Sequence, residues 1–502
     1  MGTYLTLQTS LILLFSISHW LVLFLGTRVV SLIPSWHWDP FSRPLTWRDG
    51  LFLVLAGLVL GLAAYARKRP QHAAWLLVGT IGLGYLLQVG FGWMSGGGME
   101  SIRMKYAGTI GGFYAHPVTQ EALDPLQVIR NYEAQFGSAM FPGTKPPGVI
   151  LVHVAFQRLT NFFDPQPSPE GRFDSMTLFM AYLSPLLAYL VLLLMYWMLR
   201  PRLNPAEALL PDLLYITIPS IVLMPVFLDT TLYPLIYLAG VLIVWQVVRK
   251  KSFLLAMLAG AYLYLALFLS FSLLPLAPLT LILIGLDVLT RPRPKQAILP
   301  AAKLALGLTV GFVALFLLFQ QTLNYNFMER YQTSLRIVRN YDFLARTGDT
   351  PLDQLGQISS RPSISQIGLA AWRNNLEAAS AVGFPIYFLF ISGAVATLAG
   401  LARRRVSATY RAQENKPDST VEIPLAAMAL TYLAMNLYGQ VQGEVSRLWA
   451  FNAPMMALLA GTEILRLFPR KNWSINLILT LQLITLWMTF HYQDYFINFL
   501  VR

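Results

Sequence analysis

The chain has 502 residues, 56% of them hydrophobic and 12% charged, and its many apolar runs of ~20 residues exclude a soluble protein with a single membrane anchor. The formal net charge is +13, which we assign to basic loops on the cytoplasmic side of a membrane rather than to binding of nucleic acid. The absence of cysteine excludes disulfides and thiolate metal sites, and the six scattered histidines show no spacing typical of a metal-binding cluster.

In chain order, the apolar runs predict an all-α polytopic membrane protein with about 13 transmembrane helices, each near the length that a bilayer requires. The first run precedes the first basic residue, Arg28, so we expect it to be retained as an anchor and not cleaved as a signal peptide. The predicted spans are 9–33, 50–66, 73–95, 175–199, 206–226, 229–248, 253–269, 272–290, 301–324, 380–401, 422–438, 449–466 and 474–492.

These spans divide the chain into four parts. They are N-terminal transmembrane helices (1–72), a transmembrane core with a first long loop at 96–174 (73–324), a second long loop (325–379) and C-terminal transmembrane helices (380–502).

Short connections between the predicted spans carry clusters of arginine and lysine at 67–69, 200–202, 249–251, 291–295, 403–405 and 470–471. The positive-inside rule places such clusters in the cytoplasm. We therefore predict a multi-pass protein of the cell (plasma) membrane. Its N-terminus is cytoplasmic, and its C-terminus and both long loops lie outside.

The first long loop leaves the membrane after 73–95 and must return on the same side before 175–199. Its segment 146–163 is therefore not a span. Val149, Phe156 and Leu159 recur on one helical stripe, together with Val152 and Phe163, whereas the polar residues His153, Gln157 and Asn161 form another. This pattern is typical of an amphipathic helix that lies in the membrane plane.

A second helix of this kind is predicted to precede it. Asp124 is placed to cap the helix, Pro125 suits its first position, and a shared apolar face follows, formed by Leu126, Ile129, Tyr132 and Phe136. The second long loop mixes aromatic and charged residues, and loops of such length are usually functional or disordered. We interpret it as functional.

Lys145, in "TKPPG", stands just before the predicted start of the helix at 146–163. A cation at a helix N-terminus opposes the helix macrodipole, and a negatively charged ligand reverses the sign of that interaction. Free backbone N–H groups and a lysine together favour a phosphate site. The alternative is that Lys145 contacts only anionic lipid headgroups.

Glu100 follows "SGGGM", where three glycines allow the chain to turn and approach a ligand. A carboxylate at the membrane surface can act as a general base; the alternative is a solvated acid paired with Arg103. His116 is a second candidate for acid–base or hydrogen-bonding chemistry, with a structural role favoured.

The stretch "YGQVQGEVSRLWAFNAP" places Glu444 and Arg447 three residues apart, where they can pair on one helix face. Arginine also suits bidentate binding of phosphate, so the pair either fixes a helix end or binds substrate. Asp229, in "FLDTTLYP", either caps a helix or faces a cavity. Further cations for a phosphate come from the second long loop: Arg330, Arg336, Arg339 and Arg373.

This layout resembles the GT-C superfamily of integral-membrane glycosyltransferases, which includes protein O-mannosyltransferases and the lipid A aminoarabinose transferase. The resemblance covers most of the chain, with "TKPPGVILVHVAFQRL" where those proteins often carry a "KPP" or "HPPG" element. "GEVSRLW" and "PVFLDTTLYP" are similar to elements of bacterial members.

The resemblance implies a sugar donor carried on a polyprenyl phosphate and an acidic residue in the first long loop that deprotonates the acceptor. Glu100 fits that position, although the family usually has aspartate there. We expect transfer of the sugar to an acceptor hydroxyl at the outer face, with the lipid bilayer and an acceptor of unknown identity as partners. No cofactor is expected, and a divalent cation, as in some relatives, stays open.

Two alternatives remain. One is a non-catalytic membrane subunit that keeps the transferase fold, which the missing aspartate keeps open. The other is a transporter of lipid-linked material. Repeated halves or ionisable residues deep in the membrane would favour the transporter; the sequence shows no repeat and places residues such as Asp212 and Glu463 near cytoplasmic helix ends.

Overall fold

A computed structural model of the protein describes residues 2–26, 40–120, 123–137, 139, 141–224, 231–291, 293–347, 364–406, 421–438, 448–468 and 472–493. In these ranges the chain is helical, and the single antiparallel bridge Pro40–Gln493 is the one pairing of extended backbone. This confirms the all-α fold class.

The helices are numbered in chain order. The first twelve, α1 to α12, are Gly2–Leu25, Asp49–Lys68, Ala73–Met94, Met99–Ala107, Thr109–Gln120, Pro125–Arg130, Tyr132–Phe136, Gly148–Phe163, Pro169–Ala188, Val191–Leu199, Pro205–Ala208 and Leu210–Tyr215. The remaining helices, α13 to α23, are Pro219–Leu223, Tyr233–Lys250, Phe253–Leu269, Leu276–Thr290, Pro294–Leu323, Phe327–Thr347, Ile364–Val382, Phe384–Val406, Glu422–Tyr438, Ala453–Leu467 and Asn472–Tyr492.

Within the described residues, nine helical stretches are long and apolar enough to cross a membrane. They are α1, α2, α3, the continuous stretch of α9 and α10, α14, α16, α17, α20 and α23. Each corresponds to one predicted span. Three other predicted spans are single helices of 15 to 17 residues, namely α15, α21 and α22. The predicted total of about 13 spans therefore stays a prediction.

The predicted span 206–226 differs most from expectation, because it is divided into the short helices α11, α12 and α13, here called the interrupted segment (205–223). Pro205, Pro211 and Pro219 each stand at the first positions of one piece. Proline removes a backbone donor and clashes with the preceding turn, so it begins helices and breaks those that would continue through it.

The interrupted segment lies in the interior of the bundle, and every residue from 208 to 224 is buried. Non-helical backbone at membrane depth is tolerated only where protein surrounds it and satisfies its polar groups. Gln482 of α23 donates to the carbonyls of Thr217 (3.2 Å) and Val382 (2.7 Å), and Gln88 of α3 donates to the carbonyl of Ile221 (2.7 Å). Side chains therefore replace the missing helical donors.

Close backbone contact also joins the long helices. A side chain at Gly260 of α15 would place its Cβ 1.9 Å from the Leu308 carbonyl oxygen, and one at Gly311 of α17 would lie 1.8 Å from the Met257 carbonyl oxygen. Small residues at such crossings allow helices in membranes to approach closely and pack by van der Waals contact. The α15–α17 pair is therefore a fixed unit, and the end of α15 supports the first long loop.

Replacing Gln482 with leucine should lower the free energy of unfolding by about 2–4 kcal/mol, because it leaves two buried carbonyls unpaired and each costs about 1–3 kcal/mol. Denaturant unfolding of the full chain in detergent micelles measures the change. Gln71→Leu, at an exposed position of the turn Pro70–His72, is the matched control and should change stability by less than about 0.5 kcal/mol. Equal stability of Gln482→Leu and wild type would contradict the role given to Gln482.

Candidate functional site

The first long loop folds into the five helices α4 to α8, which form a layer against the start of α9. The layer has its own apolar interior, with Ile102, Tyr106 and Tyr114 buried beside Val149 and Ile150. The sequence predicted at least two helices here. The predicted cap is confirmed, because the Asp124 carboxylate accepts from the backbone N–H of Gln127 at 3.1 Å; the predicted helix after it is interrupted at Asn131.

Lys145 lies immediately before α8. Gly148, the first residue of α8, packs so closely on the end of α15 that a Cβ would lie 2.5 Å from the backbone of Leu269 and of Phe268. Lys145 itself is half-buried, and its ammonium group forms no ion pair or hydrogen bond with the described part of the chain. The start of α8 is therefore fixed in place, with an unpaired cation beside it.

Tyr132 of α7 holds the backbone around Lys145. Its buried hydroxyl donates to the carbonyl of Pro142 (2.9 Å) and lies 3.2 Å from the carbonyl of Lys145. Burial raises the pKa of the Tyr132 phenol well above its usual value, so it stays a neutral donor.

Helix α18 of the second long loop closes over the same turn. Arg330 is completely buried, donates to the carbonyl of Gly143 and forms an ion pair with Glu133 at 3.0 Å. Ser334 donates to the carbonyl of Thr144 at 2.5 Å. Arg330 was predicted as a phosphate-binding cation, and the structure shows that its guanidinium is used to hold this turn.

Glu100 lies in the first turn of α4, after a glycine turn in which Gly96 and Gly98 have positive φ angles of 99° and 58°. Such angles favour glycine, which confirms the predicted turn. Arg103 donates to both carboxylate oxygens of Glu100 at 2.7 Å and forms an ion pair with Asp174 at 2.9 Å. The hydrogen bonds from Arg103 lower the pKa of Glu100. Glu100 is thus an exposed, ionised carboxylate, and its role as a base stays a prediction.

His116 of α5 is exposed, and its ring stacks on Phe173 of α9 with a centroid distance of 4.1 Å and an interplanar angle of 7°. Next to it, Arg172 donates to the carbonyls of Thr119 and Gln120 at the end of α5. These contacts join α5 to α9, which agrees with the structural role that was favoured for His116.

His153 of α8 was predicted only as part of a polar stripe. The structure turns this stripe toward the protein, since His153 and Gln157 are buried. The predicted apolar stripe is wrong as a single lipid-facing surface, because its members Val149 and Phe156 are also buried and only Leu159 and Phe163, with the neighbouring Phe162, form the exposed apolar face. The sequence pattern could not assign the inward face, because polar residues can face a polar protein interior as well as water. The exposed apolar face suits contact with lipid.

The tautomer of His153 follows from its contacts. Its Nδ1 lies 2.8 Å from the Val149 carbonyl, which can only accept, so Nδ1 carries the proton and Nε2 carries a lone pair. The ring stacks on Tyr114 at 5.3 Å. Burial lowers the pKa of His153 to about 4. His153 is therefore a neutral acceptor two turns after Lys145.

The other predicted site residues are less fully described. Arg336 is exposed on α18; Arg339 lies in the same helix, with its side chain outside the described residues. Asp229, Glu444 and Arg447 also lie outside the described residues. Among the residues that the structure does describe, no group of three or more His, Asp or Glu side chains could hold a metal ion.

No family model matches the chain, and no curated protein matches it. The resemblance to GT-C glycosyltransferases therefore stays a prediction from layout and motifs.

The buried neutral His153 should make stability depend on pH. The pKa of His153 is about 4 in the folded protein, against an ordinary value of 6.5. Between these two pH values, the unfolded chain therefore binds a proton that the folded protein does not bind. The free energy of unfolding is therefore unaffected by His153 above about pH 6.5, and it falls by about 3 kcal/mol as the pH drops to 4. His153→Gln should flatten this part of the curve, measured as unfolding free energy against pH in micelles.

His116→Gln is the matched control for this prediction, because His116 is exposed. It should keep the wild-type slope between pH 4 and about 6.5. If His153→Gln and wild type lose stability in parallel over that range, the buried neutral state of His153 is wrong.

Proposed function

We propose that the protein is a membrane glycosyltransferase that moves a sugar from a polyprenyl-phosphate donor to an acceptor hydroxyl at the outer face of the membrane. The observation that carries the proposal is Lys145, a cation at the start of α8 without a partner among the described residues, in a turn whose carbonyls accept from Tyr132, Arg330 and Ser334. An anionic group is the missing partner that would make this arrangement favourable.

The start of α8 adds a second source of positive potential. Its N-cap, Pro147, provides no side-chain cap, so the backbone N–H groups of the first turn have no side-chain acceptor there. A lipid phosphate bound by the Lys145 ammonium would lie at this positive end of the helix dipole. A phosphate bound in this way is a better leaving group, because the charge that develops on it is already stabilised.

Exposed aromatic residues lie near both predicted membrane–water interfaces, with Trp75, Trp197 and Trp473 on the predicted cytoplasmic side. Trp47, Trp93, Phe162 and Trp372 are all exposed, and each belongs to a segment that the positive-inside rule assigns to the outer face. Tryptophan is enriched at membrane–water interfaces, and Phe162 lies on the apolar exposed face of α8. This distribution fits a helix layer that rests on the outer leaflet.

The reaction would be a direct displacement. The acceptor hydroxyl attacks the anomeric carbon, Glu100 takes the hydroxyl proton, and the polyprenyl phosphate leaves with the electron pair of the broken bond. One displacement inverts the anomeric centre. To accept the proton, Glu100 must release at least one of its two bonds to Arg103, for which Asp174 offers the guanidinium a second partner at 2.9 Å.

Replacing Lys145 with glutamine should weaken binding of polyprenyl phosphate about 10- to 100-fold, because a charge-assisted hydrogen bond contributes about 1.5–3 kcal/mol. Binding of undecaprenyl phosphate to the full chain in micelles, followed by native mass spectrometry, measures the change. Arg158→Gln removes an exposed cation from the same helix and should bind as wild type does. Equal losses in both variants would indicate nonspecific attraction by surface charge, and no loss in Lys145→Gln would refute the site.

Replacing Glu100 with glutamine should abolish most sugar transfer while leaving lipid-phosphate binding unchanged, because the amide keeps the shape but cannot take the proton. Turnover is assayed in proteoliposomes with a panel of undecaprenyl-phosphate sugars and the lipid fraction of a bacterial membrane as acceptor. A loss of about 10²-fold or more is expected for a general base. Unchanged turnover would show that Glu100 is not the base; binding without turnover in wild type would favour the non-catalytic subunit.

A further inference from the structure

Asp212 of α12, inside the interrupted segment, is completely buried. Neither carboxylate oxygen has a hydrogen-bond partner among the residues that the structure describes. The sequence placed this residue near a cytoplasmic helix end, where water would reach it. In the structure the surrounding helices remove it from water entirely.

The elements packed on α12 do not supply a partner either. These are α2, α3, α10, α11 and α22. Glu463 and Arg466 of α22 bind each other, and Glu207 of α11 accepts from the backbone of Asn204. None of the charged or titratable groups on these elements donates to Asp212 or accepts from it. They are Asp49, Tyr65, Arg67, Lys68, Tyr85, Tyr196, Glu207, Glu463 and Arg466.

Glu463 is the informative comparison. Its side chain is 1% exposed, nearly as buried as Asp212, yet Arg466 donates to both of its oxygens at 2.6 Å and Ser392 donates to one at 2.5 Å. These bonds give each oxygen of the Glu463 carboxylate a donor. Asp212 has no such donors, and an isolated charge in an apolar interior neutralises itself by taking a proton.

The position of Asp212 links this proton to backbone conformation. The residue lies between the breaks at Leu209 and at Ile216–Ile218. Beyond it, Gln482 and Gln88 of other helices donate to the carbonyls of Thr217 and Ile221. An ionised Asp212 needs water or a cation, which reaches it only when the interrupted segment moves. Intramembrane acids and broken helices are both features of proton-linked membrane proteins.

We propose that Asp212 is a proton-binding site inside the membrane-spanning region, and that release of its proton opens the interrupted segment. This inference does not depend on the glycosyltransferase proposal. It supplies the deep ionisable residue that a proton-linked transporter of lipid-linked material would require. The ligand is a proton, and the moving element is 205–223.

Infrared spectroscopy of the full chain in proteoliposomes tests whether Asp212 holds a proton. The spectrum of wild type minus that of Asp212→Asn should contain the carbonyl band of a protonated carboxylic acid at neutral pH. Wild type minus Glu463→Gln should contain carboxylate bands instead. If the Asp212 difference shows carboxylate bands at neutral pH, the proton-binding site is refuted, whatever the outcome for the transferase.

A thiol measurement tests the movement, because the chain has no cysteine of its own. Ser220→Cys places one thiol in the interrupted segment, and Ser184→Cys places one in α9; both serines are buried. Labelling of the Ser220→Cys variant by a water-soluble maleimide, divided at each pH by the labelling of the same variant after unfolding, should increase severalfold as the pH rises from about 6 to about 9, the range in which buried carboxyls ionise. Labelling of the Ser184→Cys variant should stay low.

The double variant Asp212→Asn with Ser220→Cys completes the test. Asparagine cannot ionise, so labelling at position 220 should lose the increase that appears in the single variant. An increase that persists in the double variant would assign the opening to another group and overturn the coupling. No increase in the single variant would also overturn it, because the segment would then stay closed in the ionised state.

Discussion

The constraint on which the structure depends is the hydrogen bonding of the interrupted segment, 205–223. A continuous helix satisfies its own backbone in an apolar medium, but three prolines prevent one here. The freed carbonyls therefore need donors from elsewhere, and they receive them from Gln482, Gln88 and Lys105. Each donor belongs to a different helix, so the segment determines where α23, α3 and α4 lie around it.

Lys105 extends this arrangement to the candidate site. It is buried on α4 and donates to the carbonyl of Leu223 at 2.8 Å, which joins the first long loop to the end of the interrupted segment. The loop layer is held at its other edge by Arg330 and Tyr132. The backbone around Lys145 is consequently fixed by several contacts, while its ammonium group has no partner in the described part of the chain. Such preorganisation is the condition under which a binding group acts without a cost of reordering.

The sequence predicted correctly those features that depend on interactions between neighbouring residues. Hydropathy found the long helices, Asp124 was predicted as a cap, and "SGGGM" was predicted as a turn, because each depends on a few neighbouring residues. The interrupted segment was missed because its apolar composition matched a span, although Pro205, Pro211 and Pro219 were a visible signal. The burial of Arg330 and the inward face of His153 could not be predicted, since both depend on helices far away in sequence.

Three carboxylates show how partners decide chemistry in this fold. Glu463 is buried, and Arg466 and Ser392 donate to its two oxygens; these bonds join α22 to α20. Glu100 is ionised and 55% exposed, with its guanidinium partner shared with Asp174, so it can exchange one bond for a substrate hydroxyl. Asp212 is completely buried and has no partner among the residues that the structure describes, so an isolated charge there favours the neutral acid. Position in the sequence did not distinguish Asp212 from Glu463, because both were predicted to lie near cytoplasmic helix ends. The two residues are distinguished by the hydrogen-bond donors around each carboxylate.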